Sequence, residues 1–177
     1  PNKAVGTFCL GTRHLYDWLH DNGSVEMLPV DMVNDPRRIG LEDAFISINA
    51  TTEVDLYGQC ASETIAGRYW SASGGQADFA RGAMYSRGGK AFLVLHATTS
   101  KGRSRIRTHL TPESVVTTVK NTVDHVVTEY GIARLRGRSL AERARALIAI
   151  AHPDVRDDLE REAIETGILP RPHRLRR

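Results

Sequence analysis

The chain has 177 residues, of which 41% are hydrophobic and 25% charged, the balance of one soluble globular domain with a substantial core. No apolar run reaches the length of a membrane span and no signal-peptide pattern is present, which points to a cytoplasmic protein. The formal charge is +3, but removing Arg171, Arg174, Arg176 and Arg177 at the end of the chain brings it to −1, and aromatic residues make up only 6% and do not alternate with basic ones, which argues against a nucleic-acid surface.

Pro1-Asn2-Lys3 opens the chain without an initiator methionine, so it is expected to be processed or cut from something longer. Ala4 to Leu10 reads as a short strand ended by Gly11. Thr12 is placed to cap a helix carrying Leu15, Trp18 and Leu19 on one face, and Asn22-Gly23 ends it. Val25 to Val30 reads as a second strand, and Asn34-Asp35-Pro36 turns the chain before any long helix forms. Phe45 to Asn49 is a third strand, and Thr52 to Tyr57 alternates polar and apolar residues as a half-buried strand does.

Ser71 to Arg81 joins small residues and a glycine pair, Gly74-Gly75, to a helix expected over Ala77 to Tyr85. Glycines let a ligand approach the backbone, and a helix starting after them directs free N–H groups at an anion such as a phosphate. A tight turn before a helix explains the same residues. Gly88-Gly89 turns into Ala91 to Leu95, an apolar run expected to be a strand covered on both faces. Ser104 to Leu110, Val115 to Val119 and His125 to Thr128 read as further β segments. Ser139-Leu140-Ala141-Glu142 is a capping box that starts a helix with Leu140, Ala144, Leu147, Ile148 and Ala151 in one stripe. Pro153 opens a last helix with Val155, Leu159 and Ala163 inward, and Gly167 closes it.

Cys9 and Cys60 form neither a disulfide framework nor a metal motif, and both are expected to be buried free thiols in a reducing compartment. The seven histidines lack metal spacing, so no metal and no catalytic histidine is assigned. Residues 1–169 read as one α/β domain and 170–177 as a frayed, disordered basic tail.

Several stretches, in one order, resemble the carboxy-terminal domain of the acetyl-CoA hydrolase/transferase family, near its 4-hydroxybutyrate CoA-transferases. They are Thr7 to Thr12, Ile48-Asn49 with Glu53 to Leu56, Gly74 to Phe79, Val127 to Gly131, and Arg143 to Ile148 with His152-Pro153. The resemblance implies a CoA-transferase-like α/β domain with a mixed or mostly parallel central sheet flanked by helices. It also implies covalent catalysis: a glutamate attacks an acyl-CoA, an acyl anhydride and then a glutamyl-CoA thioester form, and a second carboxylic acid takes over the CoA. That nucleophile matches a position upstream of Pro1, so this chain alone is expected to be inactive and to need an amino-terminal CoA-transferase domain.

By the same resemblance Asn49 and Glu129 are active-site residues, the asparagine amide beside the reacting carbonyl and the glutamate positioning the reacting groups. Ser71, Gly74, Gly75, Gln76 and Lys101 are candidate contacts to coenzyme A, the substrate carrier. An acyl-CoA and a short carboxylic acid are the implied substrates, and a homo-oligomer is possible. A hydrolase domain, a non-catalytic acyl-CoA-binding module and an interaction module using the arginine tail are the competing readings; the last predicts steeply salt-dependent binding.

Overall fold

The computed structural model describes residues 3–171. The chain begins with β1 (Ala4–Gly6), α1 (Arg13–Leu19), β2 (Val25–Met27), α2 (Val30–Val33) and α3 (Pro36–Ile39). β1 and β2 pair in parallel, separate from the other sheets. Both strands are shorter than expected: β1 stops at Gly6, and Pro29, which lacks the N–H a longer β2 needs, becomes the cap of α2. Thr12 stands at the N-cap of α1 but its side chain makes no capping bond, and α1 buries none of its residues. The turn expected at Asn34-Asp35-Pro36 separates two four-residue helices, with the Asp35 side chain accepting from Arg37 N–H at the start of α3.

The main sheet is built from β3 (Ile46–Ala50), β8 (Lys90–Val94), β10 (His125–Thr128) and β11 (Gly131–Arg134). β8 runs parallel to β3 and β10, and β11 returns antiparallel beside β10. α4 (Gln76–Tyr85) lies on the inner face, where Ala80 and Ala83 meet Ala91 without bulky side chains between them. β8 departs from the expectation of a strand covered on both faces. Ala91, Leu93 and Leu95 are buried, but Val94 is open on the other face. So are Ile46, Ile132 and Ile48, the last 69% exposed. Phe92 aligns with Ile48 on one side and His125 on the other, continuing this apolar face across the sheet.

A second sheet holds β4 (Glu53–Asp55) between β5 (Cys60–Ala61) and β9 (Ile106–Arg107). β4 is fully buried, not half-buried as its alternation implied, because its acids are satisfied internally. Glu53 accepts from Thr111 N–H at 3.1 Å and Thr111 Oγ1 at 2.7 Å. Asp55 accepts from Tyr57 N–H, Gln59 N–H and Gln59 Nε2. Burial raises the Asp55 carboxyl above its ordinary range against those bonds. β6 (Thr64–Ile65) and β7 (Arg68–Tyr69) form a small hairpin turned by Ala66 and Gly67, both at positive φ. The expected strand over Val115 to Val119 is reduced to a single bridge between Thr118 and Cys60, and that over Ser104 to Leu110 to Ile106–Arg107.

α5 (Leu140–Ala149) starts at the expected capping box: Glu142 Oε2 accepts from Ser139 N–H at 2.8 Å, and Ser139 Oγ accepts from Glu142 N–H at 3.4 Å. Ala144, Leu147 and Ile148 enter the core, while Leu140 stays exposed. Arg143 is buried instead, donating to the carbonyls of Lys120 and Tyr57. Pro153 opens a 3₁₀ turn, α6 (Arg156–Glu165) directs Leu159 and Ala163 inward, and Gly167 at φ +76° ends it. Leu93, Val126, Ile106, Leu135, Leu147 and Leu159 join both sheets and these two helices in one core. Cys60 is fully buried, and desolvation pushes its thiol far up; Cys9 is only half-buried, unlike the expected pair of buried thiols. Among the described residues no helix is long and apolar enough to cross a membrane. The tail expected from 170 onwards lies outside the described residues beyond Arg171.

Candidate active site

Open α/β sheets take ligands at the carboxyl ends of their parallel strands. β3, β8 and β10 end together, and a cleft of about 540 Å³ opens there, lined by Ala50, Thr51, Val94, His96, Arg105 and Glu129 among others. Glu129 directly follows β10. Its Oε2 accepts from Ala97 N–H at 2.9 Å, and His96 Nδ1 stands 3.9 Å away. The Ala97 N–H, Glu129's own N–H and the nearby histidines hold this carboxyl below its ordinary value despite slight desolvation. Glu129 is therefore ionised at neutral pH, an acceptor and an electrostatic group, not a proton donor.

Ala97 also starts an excursion from β8 to β9. Arg105 N–H donates to the Ala97 carbonyl, and Thr99 N–H to the Arg103 carbonyl, with Gly102 at φ +73° in the tip. Lys101 is exposed at that tip and lines a second cleft of about 390 Å³ with Thr52, Glu53, Arg103, Arg105 and Arg107. Arg105 belongs to both clefts. Its Nη1 donates to the Thr52 carbonyl at 3.0 Å, and its buried Nε has no partner among the described residues.

The remaining candidates lie elsewhere. Asn49 shares the inward-turned face of β3 with Ser47, donates to Ser47 Oγ at 3.0 Å, and lines neither cleft. Ser71 is exposed and lines a hollow of about 520 Å³ with Glu63, Tyr69 and Trp70. Gly74, at φ +57°, has open space on its side-chain side, whereas a Cβ on Gly75 would meet Asn34 Nδ2 at 2.5 Å and the Phe79 ring at 3.1 Å. Gln76 is buried and donates to Thr118 Oγ1 at 3.0 Å. Asp78 occupies the first turn of α4 and, with Asp31, Asp35 and Arg37, lines a hollow of about 300 Å³. Arg37 pairs with Asp35, so Asp31 and Asp78 offset the positive end of the helix on which an anion would rely.

Arg105, His96 and the Ala97 N–H were not singled out by sequence reading. The available signal was the two-residue spacing of Lys101, Arg103, Arg105 and Arg107, which puts cations on one side of an extended segment. Among the described residues no group of three or more His, Cys, Asp or Glu side chains gathers as a metal site.

A mixed sheet with a carboxylate at the strand ends and cations beside it defines an α/β protein suited to anionic ligands. A profile described as the acetyl-CoA hydrolase/transferase C-terminal domain matches residues 11–163, and the chain belongs to that family. It is 52% identical over 162 residues to a succinyl-CoA:cyclohexane-1-carboxylate CoA transferase of Geobacter metallireducens, covering 91% of this chain and 37% of that protein. It is 50% identical over 163 residues to a 4-hydroxybutyrate coenzyme A transferase of Clostridium kluyveri, covering 92% and 38%. The crystal structure of RipA from Yersinia pestis superposes with a TM-score of 0.88 at 42% identity, over 94% of this chain and 38% of that one. The chain thus spans less than two fifths of the length of these relatives.

Proposed function

We propose that this chain is the CoA-binding part of an acyl-CoA:carboxylate CoA-transferase of the 4-hydroxybutyrate or acetate type, with the nucleophilic glutamate outside it. The observation that carries the reading is an ionised Glu129, fixed by the Ala97 N–H, in a cleft that shares Arg105 with a second cleft lined by Lys101, Arg103 and Arg107. The cations suit the phosphates of CoA, and Glu129 orients groups at the reacting end without becoming acylated. Its lowered pKa and exposed side chain make it available, but its best-directed oxygen is engaged by a backbone N–H.

The coverage of the relatives and the open face of the main sheet support a partner as well. A preceding domain, such as the longer relatives have room for, packs on Ile46, Ile48, Val94 and Ile132 and brings the nucleophile. Alone, this chain is then inactive.

The test uses the whole protein that carries this sequence. It is incubated with butyryl-CoA alone, reduced with borohydride to trap a glutamyl thioester, digested, and its peptides are weighed. The modified glutamate is expected outside residues 1–177. Modification of Glu129, or transfer between acids with no trapped glutamate at all, refutes the reading.

A further inference from the structure

The acid substrate must bring a carboxylate into a cleft that already holds the ionised Glu129. Two negative groups there repel one another, so the cleft needs a cation. Arg105 is the guanidinium that lines it.

Arg105 is not used up by the fold. Its Nη1 holds the Thr52 carbonyl at 3.0 Å, which anchors one corner of the guanidinium. No carboxylate pairs with it among the described residues, and its Nε, shut away from solvent, lacks a partner. The neighbouring acids are committed elsewhere: Glu53 to Thr111, and Glu129 to the Ala97 N–H. With Nη1 engaged and Nε enclosed, Nη2 is the guanidinium donor left without a bond among the described residues, and its N–H groups suit a carboxylate oxygen entering the cleft. The Arg105 main chain bonds to Ala97, whose N–H holds Glu129, so the guanidinium and the glutamate are set from one point of the backbone.

From this geometry we infer that Arg105 binds the carboxylate of the acid substrate beside Glu129 and so sets affinity for the acid, not for CoA. The assignment rests on the proposed function and deepens it. A brace that only ties the 97–105 excursion to Thr52 is the competing role, and a contact to a CoA phosphate through the second cleft is another.

The test compares the whole wild-type protein with Arg105→Gln and Arg105→Lys, using butyryl-CoA as donor and acetate as acceptor. Arg105→Gln is expected to raise KM for acetate about tenfold or more, the loss of a charge-assisted hydrogen-bonded pair, while KM for butyryl-CoA stays within about twofold. Arg105→Lys keeps the charge but loses the planar guanidinium that Thr52 anchors, and is expected to restore only part of the affinity. A second readout needs no turnover: acetate or succinate raises the melting temperature of the wild type and not that of Arg105→Gln.

A rise in KM for butyryl-CoA with KM for acetate unchanged assigns the guanidinium to CoA phosphate and overturns the inference. Unchanged constants in both variants leave only the brace. If Arg105→Gln does not fold, wild-type acetate affinity in Arg105→Lys overturns it equally. A wild type without transferase activity refutes the proposed function. In that event the inference stands or falls on the thermal readout, and an acid-induced shift that does not depend on Arg105 overturns it.

Discussion

Gly82 lies inside α4, where replacing glycine by alanine ordinarily stabilises a helix by about 1 kcal/mol. Here the alanine methyl would stand 2.4 Å from Ile39 Cγ2 and 2.5 Å from Ile39 Cβ. Apolar carbons rest about 3.5 to 4.0 Å apart, so the two helices must separate by about 1 Å. The Ile39 side chain cannot swing away, because its Cβ is fixed to the backbone of α3. That helix is pinned by its Asp35 cap, and Gly40 at its end lies so close to α4 that a Cβ there would meet Tyr85 Cβ at 2.6 Å. Overpacking of this kind costs about 1 to 3 kcal/mol. Set against the propensity gain, Gly82→Ala is expected to destabilise the chain by about 1 kcal/mol. Urea unfolding followed by circular dichroism reads this as a lower midpoint at unchanged slope. Adding Ile39→Gly removes Cβ together with Cγ2 and Cδ1, so the double variant should be more stable than the two single losses predict by at least about 0.5 kcal/mol. A raised midpoint for Gly82→Ala, or strict additivity in the double variant, refutes the close packing of α3 on α4.

Asp55→Ala leaves Tyr57 N–H, Gln59 N–H and Gln59 Nε2 without their acceptor and is expected to cost about 3 kcal/mol, with Asp55→Asn milder because it keeps one oxygen. The raised folded-state pKa of Asp55 means that ionisation penalises the fold above that pKa, and the penalty fades as pH falls through it towards 3.8; the stability difference between wild type and Asp55→Asn should move in favour of the wild type over that interval, as measured by denaturant titration at several pH values. Ile48→Asp, on the open sheet face, should change the stability of the isolated chain by less than about 1 kcal/mol. The same change should lower the melting temperature of the whole protein by several degrees in differential scanning calorimetry if the proposed domain packs on this face, because a charge would then enter that interface; an unchanged melting temperature refutes the proposed packing.

Elements specified by neighbouring residues were legible in the sequence. The Ser139-Glu142 capping box and the Gly167 stop each need only one turn of chain, and both stand where they were expected. Burial was less legible, because it depends on what covers an element. Ala91 to Leu95 is apolar throughout, yet its outer residues face an uncovered sheet, while β4 looks half-polar and is buried because Thr111 and Gln59 satisfy its acids. Val115 to Val119 has the composition of a strand but forms a single bridge, Thr118 to Cys60, because the β5 edge it meets extends for only two residues. Glu129 and Lys101 became candidates through the resemblance alone. Arg105 did not, because its setting arises only when Thr52, distant in sequence, is brought against the excursion after β8.

The charges also constrain how a CoA molecule would lie on this chain. The start of α4 keeps Asp31 and Asp78 beside its glycine pair, a poor setting for a pyrophosphate despite the helix end. The second cleft, with Lys101, Arg103 and Arg107 in its lining, offers the opposite sign. Under the proposed function the phosphates would therefore lie with these cations, and only the uncharged pantetheine arm would suit the open backbone at Gly74. The thiol end would then come to the cleft of Glu129 at the strand ends, where Arg105 joins the two clefts. Under this arrangement the glycine pair would serve mostly to let Asn34 and Phe79 close over Gly75, and selection of the ligand's charge would fall to Lys101, Arg103 and Arg107.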